Sequence, residues 1–289
     1  MKAGLKKKIT AMVAAAGAAA ALVVGSAGNS AATAPRLEAI ALLNDGGLMA
    51  SFFTDRPDVL NWVRRPVGLV GDVRLVGLDF RVQDGQLYGV GEKGGIYRIK
   101  LPELPSNPDP IVTKVSQLGV TLSGTFFGVD FNPAADRLRV ISDDGQNLRH
   151  NLNDHTTIVD GGLNINASSA KGVTAAAYTN NDLNVATATT LFDISTVTDQ
   201  VLIQSPPNNG SLVATGALTV DAGINAGFDI FADLVNHKTV DNHGFAVLTT
   251  PDGLSKFYSV NVLTGTATPI GDPFPLPVTE VAIPLDPQP

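Results

Sequence analysis

Gly77-Leu78-Asp79-Phe80 recurs as Gly128-Val129-Asp130-Phe131 and again as Gly227-Phe228-Asp229-Ile230. Ala175-Ala176-Ala177-Tyr178 fills the same slot without the aspartate, and Glu280-Val281-Ala282-Ile283 fits it more loosely. The units begin at residues 77, 128, 175, 227 and 280, in steps of 51, 47, 52 and 53 residues. A period near 50 is that of a propeller blade, four short strands closed by turns. The 255 residues from 35 to 289 divide into five such blades of 51. Six blades, the alternative, would need about 42 residues each, shorter than every observed step. The chain is therefore expected to be all-β, a single five-bladed β-propeller.

Working outward from the repeat, short β-rich runs alternate with Asp, Asn, Gly and Pro clusters, and no helical periodicity is sustained after residue 35. Strands are expected near 75–80, 86–91, 95–100 and 111–116, then near 125–131, 137–142, 146–151 and 156–159. The fourth blade reads as 173–178, 183–188, 190–194 and 211–215, with 200–204 competing for the last place. The fifth reads as 226–231, 244–248, 255–261 and 266–270. Residues 37–71 supply strands near 37–43, 47–53 and 67–70, but no Gly-x-Asp-Phe precedes them. The missing inner strand is at the other terminus, Val278 to Leu285, so the C-terminal strand is expected to close the first blade. Closure of this kind removes open sheet edges.

Residues 1–34 read as a signal peptide and short flank, leaving 35–289 as the propeller domain. Lys2, Lys6, Lys7 and Lys8 form a basic start, Ile9 to Val24 an apolar run of 16 residues, and small residues follow. Sixteen residues fall short of the ~20 a spanning helix needs. The expected location is secreted, periplasmic or cell-envelope, with no membrane insertion once the signal is removed. Without those four lysines the chain has 16 basic and 27 acidic residues, a net charge of −11. That balance argues against a nucleic-acid partner, whose phosphates require basic clusters. The absence of cysteine excludes disulfides, thiolate metal sites and cysteine nucleophiles.

The stretch Phe126 to Pro133, followed by Asp136-Arg137-Leu138-Arg139-Val140 and Asp143 to Arg149, resembles a bacterial family. So does Gly172 to Tyr178, continuing through Leu191-Phe192-Asp193-Ile194 to Gln204 and Gly210. The family is the uncharacterised domain of unknown function 4394, and the resemblance covers roughly 37–271, most specifically 124–216. It implies a secreted or envelope-associated bacterial protein and supplies no catalytic residues.

Several constellations have chemical potential. Asp79, Asp130 and Asp229 would lie on inner strands, where they either converge on the channel to hold a cation or tie down turns in their own blades. Asp-Gly and Gly-Gly turns at 44–47, 92–95, 143–145 and 251–253 suit tight hairpins between second and third strands. Those turns share a face with the blade-to-blade connections. If the protein binds a ligand, Arg74, Thr125, Lys171, Asn225 and Glu280 are expected at the channel mouth. Asp143, Asp144 and Asp160 belong to an acidic surround that includes Asp45, Asp72, Asp221, Asp252 and Asp272. His150 with His155, and His237 with His243, lack zinc-motif spacing and read as scattered surface histidines. No catalytic residue or nucleophile motif is identified and no cofactor is expected; Ca²⁺ is a candidate metal for the acids.

These features leave three readings of function. The leading one is a non-catalytic extracytoplasmic binding or scaffold propeller, with a glycan or a basic protein as partner. The second is a secreted hydrolase or lyase acting on glycans, and the third a structural envelope or matrix component. Propellers host all three.

Overall fold

β-Branched and aromatic residues alternate with small or polar ones through most of the chain, and turn residues interrupt them every four to twelve positions. The computed structural model describes residues 35–287 except 104, 105 and 107. It resolves this pattern into strands β1 (Glu38–Leu43), β2 (Leu48–Phe53), β3 (Arg56–Arg64), β4 (Leu75–Arg81), β5 (Gln86–Gly91), β6 (Gly95–Lys100) and β7 (Ile111–Gln117). Next come β8 (Phe127–Asn132), β9 (Arg137–Ser142), β10 (Asn147–Asn151), β11 (Thr156–Val159), β12 (Asn164–Ile165), β13 (Ser168–Ser169) and β14 (Val173–Tyr178). The remainder are β15 (Leu191–Ser195), β16 (Gln200–Gln204), β17 (Leu212–Ala217), β18 (Ala226–Val235), β19 (Lys238–Thr249), β20 (Ser255–Val260), β21 (Ala267–Ile270) and β22 (Val278–Ala282).

Five four-stranded antiparallel sheets form the ring, in inner-to-outer order β22-β1-β2-β3, β4-β5-β6-β7, β8-β9-β10-β11, β14-β15-β16-β17 and β18-β19-β20-β21. The protein is a five-bladed β-propeller, and the six-bladed alternative is excluded. Inner strands touch in the closed circuit β22, β4, β8, β14, β18 and back to β22. The C-terminal strand β22 pairs with β1, aligning Ile40 with Ala282 and Leu42 with Glu280. It completes the first blade as expected. Among the described residues, five apolar clusters fill the spaces between successive blades.

The recurrent glycine of the repeat has a steric reason. A Cβ at Gly77 would overlap the Val129 side chain. One at Gly128 would lie 2.5 Å from Ala176 N, and one at Gly227 would lie 2.6 Å from Glu280 Cα. Gly128 and Gly227 let neighbouring inner strands meet backbone to backbone, and Gly77 makes room for the Val129 side chain, each two residues before the recurrent aspartate.

Three strand expectations need correction. In the first blade the outer strand is Arg56–Arg64, not 67–70, where Val67 makes only an isolated bridge to Ile111. Arg56–Arg64 is an edge strand with one face in water, so Asp58, Asn61 and Arg64 disguise it as a loop. In the fourth blade 183–188 is not a strand, and 200–204 is the third strand. Asp182 turns the chain there by accepting the Asn184 amide, and Val185 is fully exposed despite its β-branched side chain. In the fifth blade the expected 226–231 and 244–248 are longer, Ala226–Val235 and Lys238–Thr249, and form a long hairpin with His237 at its turn and His243 on its second strand.

Candidate functional site

Every inner strand enters the ring from the same face, so residues at strand starts share one end of the channel and residues beyond strand ends share the other. At the entry face Asp45, Arg74, Leu75, Val76, Thr125, Phe126, Phe127, Asn225 and Thr279 line a pocket of about 330 Å³. The walls are held by short hydrogen bonds. Asn44, Asp45 and Gly46 all adopt left-handed backbone angles, and Gly46 O receives the Leu75 amide at 3.1 Å. Arg74 Nη1 donates to Asp45 O at 3.0 Å, and Asn225 Nδ2 to Thr279 O at 3.1 Å. Glu92 accepts the amides of Val73 and Arg74, as Asp143 accepts those of Thr125 and Phe126. Burial pushes the Glu92 carboxyl up, but those amides outweigh it and hold the group below the usual range.

The structure thus brings together Arg74, Thr125 and Asn225 from three blades. Asp143 stands behind the Thr125 wall. Lys171 does not line the pocket; its Nζ reaches the exposed Asp144 at 3.3 Å. Glu280 is buried below the mouth, with Thr279 taking its place in the lining. Asp160 lies elsewhere: its carboxylate is buried between Arg139 and Arg149, 2.6 Å from each. The acidic surround is likewise thinner than its sequence suggests. Asp72 is buried against Tyr97 and the Lys93 amide, and Asp252 pairs with Lys256.

Deeper in the ring, Asp79, Asp130 and Asp229 each offer a carboxylate oxygen within 4.8 Å of the others. They do not tie down turns of their own blades. Asp79 Oδ2 accepts the Phe131 amide of the next blade at 2.7 Å, and Asp229 Oδ2 accepts that of Ile283 across the closure. Asp130 takes the Tyr178 amide in the same way, and Glu280 reaches back to Phe228. Each carboxylate therefore stitches adjacent inner strands where sheet hydrogen bonds do not run. Burial raises the Asp79, Asp130 and Glu280 carboxyls well above the ordinary range, with neighbouring acids adding to it. Burial likewise lifts Asp229, to about 6.

Two polar groupings between blades escaped the sequence reading. Arg139 is buried between the third and fourth blades, where it donates to Asn147 Oδ1 at 2.7 Å, Asp160 Oδ2 at 2.6 Å and Asn208 Oδ1 at 3.0 Å. Asp193 is enclosed nearby with neither oxygen hydrogen-bonded. Burial drives its carboxyl up, and the Arg139 charge opposes the rise only in part. Between the second and third blades Ser116 Oγ lies 2.8 Å from His150 Nε2 and 2.9 Å from His155 Nδ1. His150 is thus a buried interface group, not a surface one; alternation along β10 was the available clue. Burial, and then His155, lowers its pKa to about 4.

A second pocket of about 320 Å³ opens at the exit face, with Gln83, Pro133, Asn180, Asp182, Val185 and Thr187 in its lining. Its polar wall comes from the Asn180–Asn184 turn, which sequence reading had placed partly in a strand.

Similarity to solved structures is confined to the shape of the chain. A protein of unknown function from Bacteroides thetaiotaomicron is 14% identical, with a TM-score of 0.49, covering 86% of this chain and 65% of its own. Myxococcus xanthus glutaminyl cyclase is 10% identical, with a TM-score of 0.45 and 82% of each chain covered. A chain of a nidogen/laminin complex is 9% identical, with a TM-score of 0.45, covering 86% of this chain and 98% of its own. No curated protein matches in sequence. The family match spans residues 48–282, from the first blade's β2 to the closing strand, and so takes in the carboxylate cluster and all of the entry-pocket lining except Asp45. The chain belongs to the family described as Domain of unknown function (DUF4394).

Proposed function

We propose that the protein is a non-catalytic, extracytoplasmic binding propeller that takes a glycan at the entry face. The observation that carries this reading is the convergence of Arg74, Thr125 and Asn225 from three blades on one concave pocket. Ligand sites combine apolar walls with a few fixed polar groups, and Phe126 and Phe127 supply the former beside those side chains. Sugars need donors and acceptors at once: Arg74 donates only, Asp45 accepts only, and the threonine and asparagine side chains do both.

A glycan is favoured over a basic protein because half of the eight acids expected to attract one are withdrawn: Asp72 and Asp160 are buried, and Asp144 and Asp252 are paired with lysines. The usual route of glycoside hydrolysis uses two carboxyl groups about 5–9.5 Å apart. Asp45 is the pocket's single carboxylate. Binding therefore fits the lining better than hydrolysis does.

Isothermal titration of the protein with chito-oligosaccharides and soluble peptidoglycan fragments tests the proposal. At least one probe should bind, with Thr125→Val and Arg74→Ala each weakening it roughly tenfold, the equivalent of one lost hydrogen bond to a charged or polar group. Affinity unchanged in both variants would move the site away from this pocket. No binding to any probe would remove the glycan assignment.

A further inference from the structure

We propose that Asp79, Asp130 and Asp229, with Glu280 beside them, form a Ca²⁺ site at the centre of the propeller, independent of the entry pocket. The four carboxylates come from four of the five inner strands, and each side chain is at most 5% exposed. The glycines that precede the three aspartates bring those strands so close that the acids meet in the middle of the ring. Clustering of this kind requires neutralisation, by a cation or by protons. Several buried charges of one sign cost far more than their amide hydrogen bonds return, unless a counter-charge compensates them.

A second observation, separate from the clustering, points to the cation. Asp130 Oδ1 is enclosed and has no hydrogen-bond donor, although Asp130 is only 1% exposed. The charges that act on Asp130 most strongly are Asp79, Asp229 and Glu280, and no basic side chain is among them. Arg139, cross-strand from Asp130 on the same face of the third blade, turns its guanidinium away to Asp160, Asn147 and Asn208. A buried acceptor without a donor, beside the carboxylates of Asp79 and Asp229, suits a cation.

Donor type and spacing select the ion. All the donors are carboxylate oxygens, which suit hard cations, and no histidine joins them. Ca²⁺–oxygen distances of about 2.3–2.6 Å let one ion bridge oxygens up to roughly 4.6–5.2 Å apart. Every pair among the three aspartates lies within 4.8 Å, inside that reach. Mg²⁺ demands near-ideal octahedral geometry at about 2.0–2.1 Å and keeps several of its waters, so it suits an enclosed carboxylate cluster less well. The aspartates lie three to four residues along their inner strands from the pocket-lining Val76, Phe127 and Asn225, about 10–13 Å at the strand rise, with Glu280 between them and the pocket beside Thr279. An ion there would act on the ring, joining four blades at one point, and not on a ligand in the pocket.

The test is metal analysis with thermal melting at pH 7.5. Protein equilibrated with Ca²⁺ and desalted should carry about one Ca²⁺ per chain by plasma mass spectrometry. Chelation should lower Tm, and Ca²⁺ at a hundredfold excess over Kd should restore about 5–10 °C, with Mg²⁺ restoring less. Asp130→Asn should abolish both the stoichiometric Ca²⁺ and the Ca²⁺-dependent shift, whereas the exposed Asp58→Asn should change neither. If Asp130→Asn does not fold, the wild-type metal content and Ca²⁺ shift decide. Protein that holds no metal and melts identically with chelator and with Ca²⁺ overturns the proposal, and leaves protons as what neutralises the cluster. Full Ca²⁺ binding by a folded Asp130→Asn overturns it as well.

Discussion

Removing residues 276–289 takes away β22 and with it the inner strand of the first blade. Val278 and Val281 are 1% exposed and Ile283 3%, all three packed between the fifth and first blades. Burying one such side chain stabilises by about 1.5–3 kcal/mol, so the three together contribute roughly 4.5–9 kcal/mol. The truncation also strips Asp229 of the Ile283 amide and opens an edge on β1. Whole domains are stable by only about 5–15 kcal/mol, so the shortened chain should be unfolded or aggregated at 25 °C. Urea unfolding followed by circular dichroism measures this, alongside two controls. Deleting 287–289 should change stability by less than about 0.5 kcal/mol, the usual range for surface changes. Ile283→Val, which keeps the strand, should cost about 0.5–1.5 kcal/mol. A truncated chain that unfolds cooperatively at the full-length midpoint would refute the closure argument, since β22 would then contribute nothing to the ring.

The remaining predictions concern the polar groups between blades. Arg139→Met should cost about 3–5 kcal/mol in urea unfolding, because Asn147, Asn208 and Asp160 lose a buried partner together, and Arg139→Lys should recover little since an ammonium cannot match the fork. His150, with a pKa lowered to about 4 in the fold, binds a proton in the unfolded chain from about pH 6.5 downward and in the native state only near 4. Stability from this group is therefore complete above pH 6.5 and lost as pH falls toward 4, so melting curves of the wild type and His150→Gln should converge across that window. The raised Asp79, Asp130 and Glu280 carboxyls act with the opposite sign, gaining stability as pH falls, which is why the difference between the two proteins is the quantity to follow.

Blade number, blade boundaries and ring closure are legible in the chain because each follows from order along it. A glycine-initiated strand every 47 to 53 residues sets the count, and a unit lacking its inner strand at one end with a spare one at the other leaves a single way to close. Three mouth residues were legible for the same reason, since Arg74, Thr125 and Asn225 are at or beside the starts of inner strands whose direction the repeat dictates. Strands at the blade edges were less so: half-exposed Arg56–Arg64 has lost the apolar alternation that marks buried ones, and 183–188 keeps β-branched residues without burying them. What crosses from blade to blade was decided only by the tertiary structure. Asp79 and Phe131 are 52 residues apart, Arg139 and Asn208 are 69, and nothing near either member of a pair encodes the other. The aspartates could equally have faced their own turns until the glycines drew the inner strands together. Asp160 reads as a surface acid until two arginines from neighbouring strands enclose it. Local pattern determines which strands form, whereas the charge a side chain meets depends on the lateral packing of strands whose sequences are remote from it.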